Sequence, residues 1–353
     1  MTWTLSITTN THISFSDYVF PLTCATTDVS TIVLMLFIQF GALGNNIFFV
    51  CSAWFLVGRD NFSRKKAFSL LCTVWTVSIC ILVFFLGVGS YNISLKEIVK
   101  QILPTTFSNN WYATCYIIFL FVYPYLNMLI ALVDQKKLLR IVLFSSLLWV
   151  LATYVKSDLF FTSSLTLWVT VYFLMAYLKL YCRNSMSSLN VGIGLVIVGS
   201  VGFVGQIVVT NFIGLHIVAL SNQVLRWNKN CSPFYIMIAI GSLINTMHSH
   251  LKTRCINYVS SLTLFIYLIH DNYLLRTYTY PTIWQWIYTT YGYGHVVLLN
   301  LGFSVVLFLA SLFISAVYKE TIQRLVTKVS DKLYFIVSKA YGKVEHFILG
   351  KID

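Results

Sequence analysis

Nine apolar runs, each near the thickness of a bilayer's hydrocarbon core, divide this sequence. They lie at about 31–57, 68–89, 112–132, 138–155, 162–180, 188–210, 233–247, 256–275 and 295–317. A membrane-crossing helix needs roughly 20 apolar residues. Hydrocarbon offers no partner to a stray N–H or C=O, so such a chain has to close its backbone hydrogen bonds within helices. The expected fold is all-α, a polytopic membrane helical bundle of about nine spans, of which 233–247 is the shortest. Charged residues make up 10% of the 353 and hydrophobic ones 58%, with a mean hydropathy of +0.78. Soluble domains carry about 25% charged residues. A soluble core cannot hide this much apolar surface, which excludes a large soluble helical domain.

The net charge of +13 would point to nucleic acid in a soluble protein. Its distribution assigns it to topology instead. Eighteen of the 24 basic residues fall after the odd-numbered runs: Arg59 and Arg64–Lys66, Lys136–Arg140, Lys179 and Arg183, Lys252 and Arg254, and the lysines and arginine from Lys319 onward. Basic residues concentrate in cytoplasmic loops. Strict alternation therefore expects a cytoplasmic C-terminus and an outer N-terminal segment at 1–30, and nucleic acid is not an expected partner. "MTWTLSITTNTHISF" is too short and polar to span and lacks a basic leader. Either a helix that would precede Met1 is missing, or a short N-terminus translocates unaided.

The organisation expected is an outer segment at 1–30, a membrane domain at 31–317 and a cytoplasmic basic tail at 318–353. In the tail, Ile322, Val326, Val329, Leu333, Ile336, Ala340 and Val344 recur every three or four residues, with lysines opposite. That is a C-terminal amphipathic helix for an anionic inner leaflet or a coiled-coil partner. "SLKEIVKQILPTTF" (94–107) reads as a shorter interfacial helix. The eight cysteines include no CxxC pair, so neither a metal site nor a disulfide framework is expected.

Polar residues inside apolar runs are costly and mark cavities, paths or helix–helix contacts. Three stretches carry them. "GALGNNIFFVCSAWFLVGR" (41–59) holds Gly41, Gly44, Asn45 and Asn46, which also suit plain helix packing. "SNNWYATCYIIFLFVYPYLN" (108–127) holds Asn109, Asn110 and Trp111, then Pro124 and Asn127, where the amide can help satisfy groups freed by the proline. An aromatic belt accounts for Trp111 without any function. "SSLTLFIYLIHDNYLLR" (260–276) ends in His270, Asp271 and Arg276. A histidine titrates near neutrality and serves as a general base on a hydroxyl, though a water-facing helix end is the plainer reading. Asp271 sits about 100° round the helix from His270 and is better placed to pair with Arg276. His248 and His250 point to different helix faces, which argues against a metal pair.

These three stretches together resemble the membrane acyltransferases known as acyltransferase family 3. "NNIFFVCSAWFLVGR" is similar to that family's Phe-Phe-x-x-Ser-Gly-Tyr/Phe-Leu segment and its following basic loop. "NNWYATCYIIFLFVYPYLNMLI" is similar to its Tyr-Trp-Phe…Tyr…Pro-x-Leu-Asn segment, and "INYVSSLTLFIYLIHDNYLLR" to its Tyr-Leu-Ile-His-Glu-Asn segment. Order and spacing agree along about 30–320. The resemblance implies an O-acetyltransferase-like enzyme. It would take an acyl group, usually acetyl, from acyl-CoA to a hydroxyl of a surface glycan or lipid-linked sugar at a bacterial plasma membrane.

It further implies a polar site of His270, Asn46, Asn110, Trp111, Asp271 and Arg276. CoA phosphates, with acetyl-CoA as a donor substrate rather than a resident cofactor, would be held by Arg59, Arg64, Lys65 and Lys66. The family's first span, for which no counterpart is found here, leads to a histidine whose place His12 would take. Ser52-Ala53-Trp54 departs from the family's Ser-Gly-aromatic. A flippase for a lipid-linked sugar, or an inactive N-truncated relative, is the competing expectation.

Overall fold

The structure is a computed structural model describing residues 24–59, 63–89, 91–107, 109–155, 164–221, 224–225, 232–249, 253–292 and 295–349. His12 and most of the expected outer segment lie outside the described residues. Every regular element among the described residues is helical. The expected run at 31–57 forms α1 (Val29–Ile38) and α2 (Phe40–Leu56), broken only at Gln39. There follow α3 (Arg64–Val88), α4 (Leu95–Ile102), α5 (Trp111–Leu132), α6 (Gln135–Tyr154), α7 (Ser164–Tyr181), α8 (Arg183–Met186) and α9 (Leu189–His216). The chain ends with α10 (Pro233–His248), α11 (Arg254–His270), α12 (Tyr280–Tyr291), α13 (Val296–Thr321) and α14 (Gln323–Leu349).

Among the described residues seven helical stretches are long and apolar enough to cross a membrane: Val29–Leu56, Arg64–Val88, Trp111–Leu132, Gln135–Tyr154, Ser164–Tyr181, Leu189–His216 and Val297–Thr321. The expected spans at 233–247 and 256–275 are realised as α10 and α11, helices of 16 and 17 residues. Both are a little short of a full crossing. Large apolar side chains such as Val305, Val306, Phe313 and Ile314 of α13 stay exposed on the protein itself. Water would penalise that surface at about 25 cal/mol per Å², and lipid removes the penalty. The chain is a multi-pass membrane protein.

The helix ends are chemically marked. Ser63, Asp134 and Thr253 accept from the backbone N–H three residues on and start α3, α6 and α11. Gly89, at φ 65°, takes the left-handed conformation that stops α3.

The helices sort into two compact units. One comprises Met1–Asp60, Val122–Leu251 and Thr279–Ser304; the other comprises Asn61–Phe121, Lys252–Tyr278 and Val305–Asp353.

In the first unit α9 and α10 approach to backbone contact. A Cβ added at Gly241 would lie 2.6 Å from the Gly192 carbonyl oxygen, and one at Gly199 3.0 Å from that of Phe234. Small residues permit such approach where lipid supplies no hydrophobic drive between helices. Gly44, by contrast, faces open space. Gln39 accepts a bond from the buried Tyr235 hydroxyl at 2.8 Å. Asn127 serves a different helix end from the one its sequence suggested. Its Nδ2 donates to the carbonyls of Leu56 and Arg59, and its Oδ1 accepts from the Gly58 N–H and, at 2.7 Å, the Tyr172 hydroxyl. Lys179 Nζ donates to the Trp54 and Val57 carbonyls at 2.7 and 2.9 Å. These amide and ammonium groups satisfy the orphan carbonyls where α2 stops.

The second unit is built on α3. Val74 and Val77 of α3, Leu262, Phe265 and Leu268 of α11, Tyr318 of α13 and Val326 of α14 bury one apolar cluster. α4 forms within the expected interfacial segment. Ser94 and Glu97 close a capping box, each bonding the other's backbone N–H. Tyr278 donates to the same carboxylate at 2.9 Å.

Two predictions follow from these contacts. Gly241→Ala places a methyl against the Gly192 carbonyl and forces α9 and α10 apart. The expected cost is about 1–3 kcal/mol of stability, read as a lower thermal midpoint of the purified protein; an unchanged midpoint contradicts the packing. The second concerns Glu97. Partial burial acts to raise its carboxyl, but bonds from the Ser94 hydroxyl and N–H and from Tyr278, with the Lys100 charge nearby, hold it below the usual carboxylate range. A depressed acid contributes stability above its unfolded pKa of about 4.3 and loses it as pH falls through the folded value. Wild type is therefore expected to melt higher than Glu97→Gln at neutral pH, with the gap closing in acid below pH ~4.

Candidate active site

The polar residues at the end of α11 form a connected structure within the second unit. α11 stops at His270 because Asp271 leaves helical geometry while its N–H still bonds back to Tyr267 and Ile269. Asn272 Oδ1 then accepts the Leu274 N–H at 2.9 Å, turning the chain. A five-residue π segment follows at Leu275–Thr279. Such segments concentrate at functional sites because they displace side chains from regular register. Here the segment carries Arg276. Its Nη1 lies 3.4 Å from Asp271 Oδ1, and its Nη2 donates to the Asn109 carbonyl at 3.4 Å. The pairing of Asp271 with Arg276 expected from spacing is therefore present. Asp271 is fully buried and the Arg276 side chain is 23% exposed. Removing either partner would strand a buried charge.

His270 is held by its own helix. Nδ1 lies 2.6 Å from the Ile266 carbonyl oxygen. A carbonyl only accepts, so Nδ1 carries the proton, and in the neutral ring Nε2 is left as the basic atom. The Tyr267 ring stands edge-on to the imidazole, with centroids 6.0 Å apart. Its hydroxyl accepts the Tyr112 N–H at 3.2 Å, which ties the start of α5 to the end of α11. Asn110 and Trp111 arrive by that tie. The Asn110 amide is 2% exposed and its Nδ2 has no hydrogen-bond partner among the described residues. Neither has Thr114 Oγ1, one helical turn on. Buried polar atoms are almost always paired, so a donor and a hydroxyl left open on one helix face call for a ligand or water.

A second layer fixes the turn. Gln101 of α4, wholly buried, exchanges amide bonds with Asn272: Nε2 donates to Oδ1 at 3.2 Å and Nδ2 donates back to Oε1 at 3.3 Å. The Ser78 hydroxyl of α3 also donates to Gln101 Oε1. Asn109 Nδ2 donates to the Lys100 carbonyl at 2.6 Å, closing α4 onto the start of α5. Gln101, Ser78 and Tyr267 are not among the residues expected from sequence. The one hint for Gln101 is its place three residues after Ile98, which packs in a neighbouring apolar cluster.

The remaining candidates are placed as follows. Asn46 lies in the first unit, buried, with Nδ2 donating to Ala42 of its own helix at 2.8 Å. Arg59 also belongs to the first unit, with its carbonyl held by Asn127. Arg64, Lys65 and Lys66 occupy the exposed first turn of α3, where Lys65 pairs with Asp331 at 2.9 Å.

Replacing Gln101 by leucine tests the second layer. It strands the Asn272 amide in the interior, at about 1–3 kcal/mol for each unpaired group. The expected readout is a lower thermal midpoint, larger for Gln101→Leu than for Gln101→Glu, whose oxygen still accepts from Ser78. Equal midpoints for wild type and both variants would contradict the network.

The acyltransferase domain of acyltransferase family 3 matches residues 11–320. No curated protein and no solved structure matches the chain. The matched region takes in His270, Asp271, Arg276 and Asn110, and it covers most of the sequence. On that match the chain belongs to acyltransferase family 3, and it is a membrane acyltransferase.

Proposed function

We propose that this protein transfers an acyl group, acetyl by preference, from acyl-CoA to a hydroxyl of a cell-surface polysaccharide or lipid-linked sugar, in a bacterial plasma membrane with its C-terminus cytoplasmic. The observation that carries the reading is the state of His270. With Nδ1 committed to the Ile266 carbonyl, Nε2 is the ring atom that can take a proton. The acceptor hydroxyl gives its proton to Nε2 as its oxygen attacks the thioester carbonyl. Negative charge collects on the carbonyl oxygen, and the tetrahedral intermediate collapses with expulsion of the CoA thiolate. The imidazolium then returns the proton to sulfur. The Asn110 amide is a ready donor for the developing oxyanion, since its Nδ2 has no hydrogen-bond partner among the described residues.

The other residues have supporting roles. Trp111 offers an apolar face to a sugar ring. Asp271 holds Arg276, and Arg276 supplies positive charge near the transfer. Asn46 and His12 remain assigned to substrate binding and catalysis on the family resemblance. Arg59, Arg64, Lys65 and Lys66 suit the phosphates of CoA on the expected cytoplasmic side. His270 lies at the opposite end of its helix from Arg254, about 24 Å along the axis at 1.5 Å per residue. The reading therefore requires the thioester end of the donor to reach through the hydrocarbon layer to His270, with its phosphates left on the basic side.

The test uses membranes containing the chain, acetyl-labelled CoA and the host's glycolipid fraction. His270→Ala is expected to lower label transfer by about 10²–10⁴-fold. Asn110→Ala is expected to lose about 10²-fold or more, in turnover rather than in KM. Transfer that survives His270→Ala would remove it as the base. Glycan export defects with normal acylation would favour a flippase.

A further inference from the structure

The C-terminal helix α14 is more than a tail, and its surface can be divided by what each face meets. One edge packs on α3. Val326 and Ser330 are buried there, the Tyr334 ring lies 5.9 Å from Phe68, and Asp331 pairs with Lys65. Next to that edge runs a second face left exposed among the described residues. Leu325, Val329, Leu333 and Ile336 lie within about 80° of arc at 100° per residue. They are 63%, 46%, 42% and 62% exposed. Lys328, Lys332 and Lys339 border this stripe on its far side, all exposed. Asp331, the lone acid between Gln323 and Lys339, is already neutralised by Lys65.

We infer that α14 lies along the surface of an anionic phospholipid leaflet, with the Leu325–Ile336 stripe among the acyl chains and Lys328, Lys332 and Lys339 at the phosphates. The inference does not rest on the acyl-transfer reading. An apolar stripe beside a row of lysines matches the two layers of an interface, since lysine stems reach up from the acyl boundary to the headgroups. A soluble protein partner would meet the stripe without needing the lysine border. The clamp on α3 fixes which side of α14 faces the lipid. Val326, Ser330 and Tyr334 pack on the protein, which leaves the Leu325–Ile336 stripe facing away from it. Each lysine near an anionic surface adds attraction that falls off within a Debye length.

The test places a photoreactive benzoyl-phenylalanine at Val329 or Leu333 in the full-length protein, reconstituted in vesicles of phosphatidylcholine and phosphatidylglycerol in equal amounts. Mass analysis after illumination reads the adduct. The expected result is a phospholipid adduct at both positions, with phosphatidylglycerol several-fold over phosphatidylcholine. Thr327, on another face, is expected to give none. In a Lys328→Gln, Lys332→Gln, Lys339→Gln variant the lipid adduct should remain and the preference for phosphatidylglycerol should vanish. A cross-link to a second copy of the chain, the absence of lipid adducts at Val329 and Leu333, or equal capture of both lipids by the wild type would each overturn the inference.

Discussion

Hydrocarbon gives a polar group no water to fall back on, and the way this chain pairs its polar side chains follows from that. Most of its membrane hydroxyls take the cheapest solution. Ser52, Thr73, Thr76 and Thr170 each donate to the backbone carbonyl four residues earlier. Such groups are silent; they ask nothing of another helix. The end of α11 is different. Asn272 bonds Gln101 of α4, which in turn accepts from Ser78 of α3, and Arg276 joins Asp271 to the Asn109 carbonyl just before α5; among the described residues the Asn110 Nδ2 has no partner. A protein that could have paired these groups locally has gathered them instead. Concentrated polarity of this kind is expensive in a bilayer, which is why the proposed site is placed there.

The same arrangement fixes the imidazole of a histidine at a helix end. A carbonyl four residues back fixes which imidazole nitrogen holds the proton. A neighbouring tyrosine edge limits where the ring can turn. The Gln101–Asn272 exchange holds the turn just beyond, so His270 and Arg276 keep their spacing. Preorganisation of this sort would let the proposed base act without reorganising its surroundings at each turnover.

Much of this was legible in the sequence, and for a definite reason. Apolar run length and basic loops report on the solvent around a helix, so the helix positions from Val29 to Thr321 follow the hydropathy closely. The link between Asp271 and Arg276 is local, five residues apart in sequence, so opposite charges that close together anticipate it. What was not legible depends on which distant segments meet. Nothing in "SLKEIVKQILPTTF" says that Gln101 will face Asn272, 171 residues away. Asn127 follows Pro124 and looks like its repair, yet it caps α2, some 70 residues earlier, because the carbonyls at a helix end need a donor more. Nothing in the basic run at Arg64–Lys66 says that Asp331, on the last helix, will pair with Lys65. Periodicity identifies a face; it does not name the neighbour across it.

The account turns on His270 acting as a base through Nε2, and the pH dependence of transfer tests it most directly. The measurement is kcat/KM for acyl transfer to the glycolipid fraction across the acid-to-neutral range, for wild type and for His270→Gln, whose amide can hydrogen-bond but does not titrate. The account predicts a wild-type rate that rises with pH as one group loses its proton. The small residual rate of His270→Gln should lack that rise. A residual rate with the same pH profile, or a wild-type rate that does not depend on pH, would contradict it and move the base elsewhere in the protein.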